Sequence, residues 1–377
     1  MERVPYLPET PEELTAQWLG EALEGEVSRV NHRFLGEGVG FMGDVLLLEL
    51  ESSSEHLPSQ LVAKLPQKAN RVMGEMLGVY EREIMFFREF GDRLPIRIPK
   101  PWYAEFDRDA GSENQKEILA QLDRLPLFFS KAINGLGAFI AGRKQRRYML
   151  LIEYLQAYTP GDQLAGIDAS QANRVLSEVA QLHAGYWNDS SLDDHFWLLP
   201  LHIDAKLRHG IFRQHVQKFQ AQMPDAVTPH LQWMKDHGLE MRKKLVDESP
   251  QTLLHCDLRL DNVLFGEDHC ALIDWQLVRF GPAAYDVAYF VTSAVHADTP
   301  ESAVEDLLTT YHQALGVDSY TYEAFKRDYQ RGLMMVLADL SSVDNVELGD
   351  GRGLRMMQAW LERLSARVAQ VPVDNLL

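Results

Sequence analysis

Between the apolar runs Leu253-Leu254 and Val263-Leu264-Phe265 stand His255, Asp257, Arg259, Asp261 and Asn262, five strongly polar residues in eight positions. A turn between two short buried strands needs one or two such residues, usually with Gly or Pro. Five indicate a site. Asp257 could take a proton, and Asn262 supplies an amide oxygen. Asp274 follows the apolar Ala271-Leu272-Ile273, a carboxylate at the end of a second buried run. Oxygen donors of this kind suit magnesium, which uses few protein ligands. Upstream, Lys64 lies in the apolar Leu61–Leu65 behind Val62 and Ala63, and Glu83 follows nineteen residues later.

The elements that must position these groups differ between the two halves. Thr10-Pro11-Glu12-Glu13 has the form of a capping box and predicts a helix to about Leu23. Val27–Phe34, Val45–Leu48, Leu61–Leu65, Ile98–Phe106 and Tyr148–Leu155 read as strands, and helical spacing covers 74–90. An antiparallel sheet with one helix is the expectation for residues 25–155. Residues 107–147 form an insertion too long for a plain loop. It holds a helix near Glu113–Leu122 and the basic cluster Arg143, Lys144, Arg146 and Arg147, whose ordinary reading is a solvated face. From Asp168 the pattern is helical: 169–187, 202–220, 229–247, 301–315, 322–340 and 352–370. The expected boundaries are thus an N-terminal lobe over 1–155 and a C-terminal lobe over 156–377.

His255-Cys256-Asp257, four residues, then Asn262 has the H-x-D-x-x-x-x-N spacing of the kinase catalytic loop. Val-Ala-Lys ending at Lys64 resembles V-A-x-K, and the glycines Gly36, Gly38, Gly40 and Gly43 form a turn where backbone amides can approach phosphates. The stretch ALIDWQLVRFGPAAYDVAYF (271–290) and Leu182-His183-Ala184 resemble signatures of one branch. The chain resembles the protein-kinase-like superfamily, in its small-molecule branch of aminoglycoside phosphotransferases, choline kinases and ecdysteroid-kinase-like proteins. The resemblance implies an α+β bilobal fold whose second lobe is mainly helical. It also implies ATP or GTP with Mg2+ as cofactors and a small-molecule hydroxyl as acceptor.

By the same resemblance Asp257 is the catalytic base. Asn262 and Asp274 hold the metal, Arg259 stands near the phosphate-neutralising position, and Asp286 buttresses the loop. Lys64 holds phosphates, Glu83 holds Lys64, Gly38 and Gly40 touch phosphate, and Glu153 and Leu155 meet the adenine. Alternatives stand beside these: an edge-strand lysine for Lys64, Glu81 in place of Glu83, a surface salt bridge for Arg259, and structural roles for His255 and His183. Trp275 is the candidate wall on the acceptor side. Cys256 departs from the usual Gly of the phosphotransferases. Eleven residues separate Asp274 from Asp286 and no A-P-E follows. A protein kinase, which needs a longer activation segment, is therefore the lesser alternative. A nucleotide-binding scaffold without turnover is the other.

The 377 residues carry a formal charge of −18, which repels nucleic acid and could favour a cationic substrate. No run of eighteen apolar residues occurs, so no membrane insertion is expected. Two cysteines, Cys256 and Cys270, are too few for a disulfide framework, and the acidic start MERVPYLPETPEEL has no signal-peptide core. Both point to the cytoplasm.

Overall fold

In the computed structural model the chain forms two compact units, Met1–Leu94 with Ile98–Glu113 and Lys131–Ala157, and Pro95–Arg97 with Asn114–Ser130 and Tyr158–Leu377. Within them the structure describes residues 6–35, 43–67, 70–107, 115–124, 146–341 and 351–377.

The first unit is built on one antiparallel sheet. Helix α1 (Ala16–Ala22) precedes strands β1 (Val27–Phe34), β2 (Gly43–Ser52) and β3 (Gln60–Pro66). Helices α2 (Arg71–Leu77) and α3 (Val79–Phe90) follow, then β4 (Pro101–Phe106) and β5 (Tyr148–Glu153). The strand order is β1-β2-β3-β5-β4. Leu46, Leu48 and Leu50 on β2, Leu61, Ala63 and Leu65 on β3, and Met149 and Leu151 on β5 form one core with Trp18 and Leu19 of α1. Side chains alternate along a strand, so Lys64 must point to the opposite face.

Two expectations fail here for local reasons. Thr10 caps nothing: Pro11–Glu13 is a single 3-10 turn, and the Glu13 carboxylate accepts from Glu9 N–H instead. Thr15 starts the helix, its hydroxyl accepting from Trp18 N–H at 3.2 Å. The single helix expected over 74–90 is two, because Gly78 takes a left-handed conformation (φ 65°) that ends one and begins the next.

The second unit opens with α4 (Gln115–Arg124), whose Asp123 caps a later helix by accepting from Lys206 and Leu207 N–H. Next come β6 (Thr159–Pro160), α5 (Ala169–Gly185), β7 (Leu199–Pro200), α6 (Ala205–Gln220) and α7 (Thr228–Glu248). Strands β8 (Gln251–Leu254), β9 (Val263–Phe265), β10 (Cys270–Leu272) and β11 (Arg279–Pro282) follow. Helices α8 (Ala284–Ala294), α9 (Glu301–Leu315), α10 (Tyr322–Leu340) and α11 (Gly351–Val368) complete the unit.

The strands make two small sheets, β10-β9-β6 and β7-β11-β8. The chain passes from one sheet to the other three times, from β6 to β7, from β8 to β9 and from β10 to β11. Helices α8 and α10 approach closely at Gly332, where a Cβ would lie 3.0 Å from both Ala284 O and Ala288 Cβ. Among the described residues no helix is long and apolar enough to cross a membrane.

Candidate active site

In the first unit, register sets the pair. Lys64 lies opposite Val45 on β2 and Leu150 on β5, in the middle of the sheet and not at its edge. On the face away from the α1 core its Nζ meets Glu83 Oε1 of α3 at 2.5 Å, with the side chains 15% and 4% exposed. Glu81, the rival, pairs with Arg146 at 2.9 Å. Arg146 is therefore no solvated surface group, and Arg147 likewise reaches Glu9 and lies over the Tyr6 ring. Burial alone would lower the Arg146 pKa, but Tyr148 and Glu81 leave it raised. The N–H of Glu153 donates to Lys100 O and its carboxylate accepts from Lys100 N–H, while Leu155 is buried. Gly36, Gly38 and Gly40, with Arg143 and Lys144, lie outside the described residues; Gly43 begins β2.

In the second unit, the last two crossings between the small sheets carry the polar residues. His255, Cys256, Asp257, Arg259 and Asn262 lie between β8 and β9, and Asp274 lies between β10 and β11. The β8–β9 crossing is held from below by Asp286 in the first turn of α8. Its carboxylate accepts from His255 N–H at 2.6 Å and Cys256 N–H at 2.9 Å. Cys256 adopts φ 62°, a left-handed conformation. The imidazole of His255 joins the two crossings. Its Nδ1 accepts from Asp257 N–H at 3.2 Å, so Nε2 carries the proton and donates to Ile273 O at 3.0 Å. Ile273 N–H in turn donates to Asn262 O. His255 is thus a scaffold, wholly buried.

Around Asp257 the donors are dense. Asn262 Nδ2 donates to Asp257 O at 2.8 Å and to its Oδ2 at 2.9 Å. Arg259 Nε lies 3.4 Å from Oδ2, and Tyr289 O–H donates to Oδ1 at 2.8 Å. Arg259 is 8% exposed and bonds Asp261 as well, so it is neither a surface salt bridge nor a loose cation. Burial opposes its charge, yet Asp257, Tyr289 and Asp261 leave its pKa above the usual arginine value. Burial, then the charge of Asp257, pushes the Tyr289 phenol well up, so it remains a donor.

Asp261 receives a second cation, Arg352 of α11, at 3.3 Å. Tyr289 and Arg352 are contacts that the sequence reading missed. Tyr289 lies one helical turn beyond Asp286, on the same side of α8, which is a usable signal; Arg352 leaves none.

Trp275 corrects its expectation. It is fully buried, its Nε1 donates to Leu272 O, and its ring packs on His255 at 4.6 Å between centroids. It supports the loop and cannot wall an acceptor. His183 is buried too, against Tyr311 at 2.7 Å.

The donor set suits magnesium. Asn262 Nδ2 is committed to Asp257, which leaves its Oδ1 to meet a cation, and Asp274 follows directly on Ile273, the residue bonded to Asn262. Among the described residues no cluster of three His, Cys, Asp or Glu forms a metal cage. A nucleotide-borne magnesium needs none, because phosphate oxygens and water complete its shell.

These features define a protein-kinase-like fold, of the form carried by small-molecule kinases. Its matches among solved structures include a choline kinase from Cryptosporidium parvum Iowa II, at 10% identity, 90% and 89% coverage of this chain and that one, and TM-score 0.52. An aminoglycoside phosphotransferase solved with GDP matches at 12%, 92% and 94%, TM-score 0.51. The gentamicin complex of a second aminoglycoside phosphotransferase matches at 12%, 99% and 100%, TM-score 0.50. The model of the ecdysteroid kinase-like family matches residues 133–319, a span that includes Asp257, Asn262, Asp274 and Asp286. No curated protein matches by sequence.

Proposed function

We propose that the chain transfers a phosphoryl group from ATP or GTP, with Mg2+, to a hydroxyl of a small molecule. The observation that carries this reading is the Asp257–Asn262 pair, with its loop bonded through His255 and Asn262 to Ile273 beside Asp274. Asp257 orients the acceptor hydroxyl and takes its proton. Asn262 and Asp274 would hold the magnesium, which would neutralise phosphate charge. Lys64, held by Glu83, binds phosphate. Phosphoryl transfer has a loose transition state, so positioning and charge neutralisation make up most of the catalysis. The short link from Asp274 to Asp286 supports a small acceptor over a peptide.

Thermal unfolding with ATP or GTP, each with and without magnesium, is the first test. Nucleotide at about a hundred times its Kd adds roughly 2.7 kcal/mol of stability. A magnesium-dependent rise supports the nucleotide site. Choline, an aminoglycoside and a sterol alcohol, each tested for nucleotide diphosphate release, then probe the acceptor classes of the structural and family matches. Asp257→Asn should abolish release and spare nucleotide binding, whereas Asp274→Asn should weaken magnesium-nucleotide binding itself. No shift with either nucleotide overturns the reading. A shift without release from any acceptor leaves a nucleotide-binding scaffold.

A further inference from the structure

We infer that Tyr289 is a positioning residue for Asp257, an inference that rests on the reading just given. The two oxygens of the Asp257 carboxylate are unequally served. Oδ2 takes Asn262 Nδ2 at 2.9 Å and faces Arg259 Nε at 3.4 Å, so the loop itself occupies it. Among the described residues Oδ1 takes one donor, the Tyr289 hydroxyl at 2.8 Å. An acceptor hydroxyl that gives its proton to Asp257 must therefore meet Oδ1, beside the phenol. A carboxylate held by one oxygen alone can swing about its Cβ–Cγ bond; a donor on each oxygen fixes its plane and aims the open lone pair of Oδ1. Catalysis by positioning is sensitive to such aim.

The phenol is itself held. Tyr289 stands on α8, three residues past Asp286, so one rigid helix fixes the loop backbone and the carboxylate tip together. The Trp360 ring of α11 stands edge-on to Tyr289, with centroids 5.0 Å apart and planes at 70°. Among the described residues the buried Trp360 Nε1 has no oxygen or nitrogen partner. That geometry suits an N–H directed at a π face, a weak contact that still orients the ring.

The test uses the full chain and Mg·ATP, with water in the place of the acceptor. Tyr289→Phe deletes one oxygen and should lower kcat by about tenfold to a hundredfold, the value of one hydrogen bond to a charged group, with KM for Mg·ATP unchanged. Placing p-aminophenylalanine at position 289 restores an N–H donor and should recover part of the rate. Trp360→Leu keeps the hydroxyl and loosens its ring, so its loss should be smaller and in kcat alone. Tyr289→Phe with a wild-type kcat, or with KM and kcat altered alike and no recovery by the amino variant, overturns the inference and leaves the proposed function standing. A wild-type chain with no nucleotide shift, or an Asp257→Asn variant as fast as wild type, removes that function and the inference with it.

Discussion

Asp286 accepts the consecutive N–H groups of His255 and Cys256 on its two carboxylate oxygens, at 2.6 and 2.9 Å, with no part of Asp286 exposed to solvent. Asp286→Ala leaves two buried N–H groups without partners, at about 1–3 kcal/mol each. Urea unfolding should show a loss of about 2–6 kcal/mol. Asp286→Asn keeps one accepting oxygen and should lose less. Equal stability of the alanine variant and wild type would show that the loop does not depend on this carboxylate.

Cys256 takes φ 62°, where a Cβ is strained. Cys256→Gly and Cys256→Ala both delete the thiol and differ only in that Cβ. The glycine variant should be the more stable by about 1 kcal/mol, the reverse of the usual order for these two residues. Paired denaturation curves decide it, and an alanine variant as stable as the glycine one removes the argument from strain.

Lys64 chooses Glu83, while Glu81 is held by Arg146. Under the proposed function Lys64→Ala should cut kcat/KM for Mg·ATP by roughly a hundredfold or more, the scale of removing one donor from a developing charge. Glu83→Gln should cost about tenfold, as a charged hydrogen bond becomes a neutral one. Glu81→Gln should alter stability and leave these kinetics near wild type. Steady-state rates on the three variants check the order, and a Glu81 variant slower than the Glu83 variant reverses the assignment.

His209 is buried on α6, and its pKa is pushed down to about 4 by burial first and by the positive charges of Arg242 and Arg213 next. The sign follows directly. Between about pH 6.5 and 4 the unfolded chain binds a proton at this residue and the folded chain does not, so stability falls as pH falls through that window. The contribution is on the order of 3 kcal/mol at its limit. Unfolding free energies at pH 7 and pH 4.5 should therefore differ less in His209→Gln than in wild type. Equal pH dependence in the two would place the titration elsewhere.

What could be read from the chain alone was local. Residues 301–315 form a helix with the expected bounds because their apolar spacing has no competitor, and the strand carrying Lys64 follows from a short apolar run stopped by Pro66. The helix start at Thr10 failed because a side-chain acceptor four residues away outcompeted the capping box, and 74–90 broke because Gly78 permits a backbone turn that periodicity does not register. Trp275 was misplaced for a different reason. Nearness to Asp274 in sequence says nothing about which side of the loop a ring takes, and here the His255 ring and Leu272 O draw it inward. The Glu81 partner of Arg146 and the Arg352 partner of Asp261 come from distant segments, and spacing encodes neither.

Helix α11 reaches the β8–β9 loop through Arg352 on Asp261, which shares Arg259, and reaches α8 through Trp360 on Tyr289. Arg259 and Tyr289 are also two of the side chains that attend Asp257. A ribosome that has released residues 1–300 has therefore completed every recognisable motif, yet neither outer hold on that carboxylate exists. Under the proposed function that carboxylate depends on a helix made after all the motifs, and a protein truncated before residue 351 should keep the motif and lose its aim.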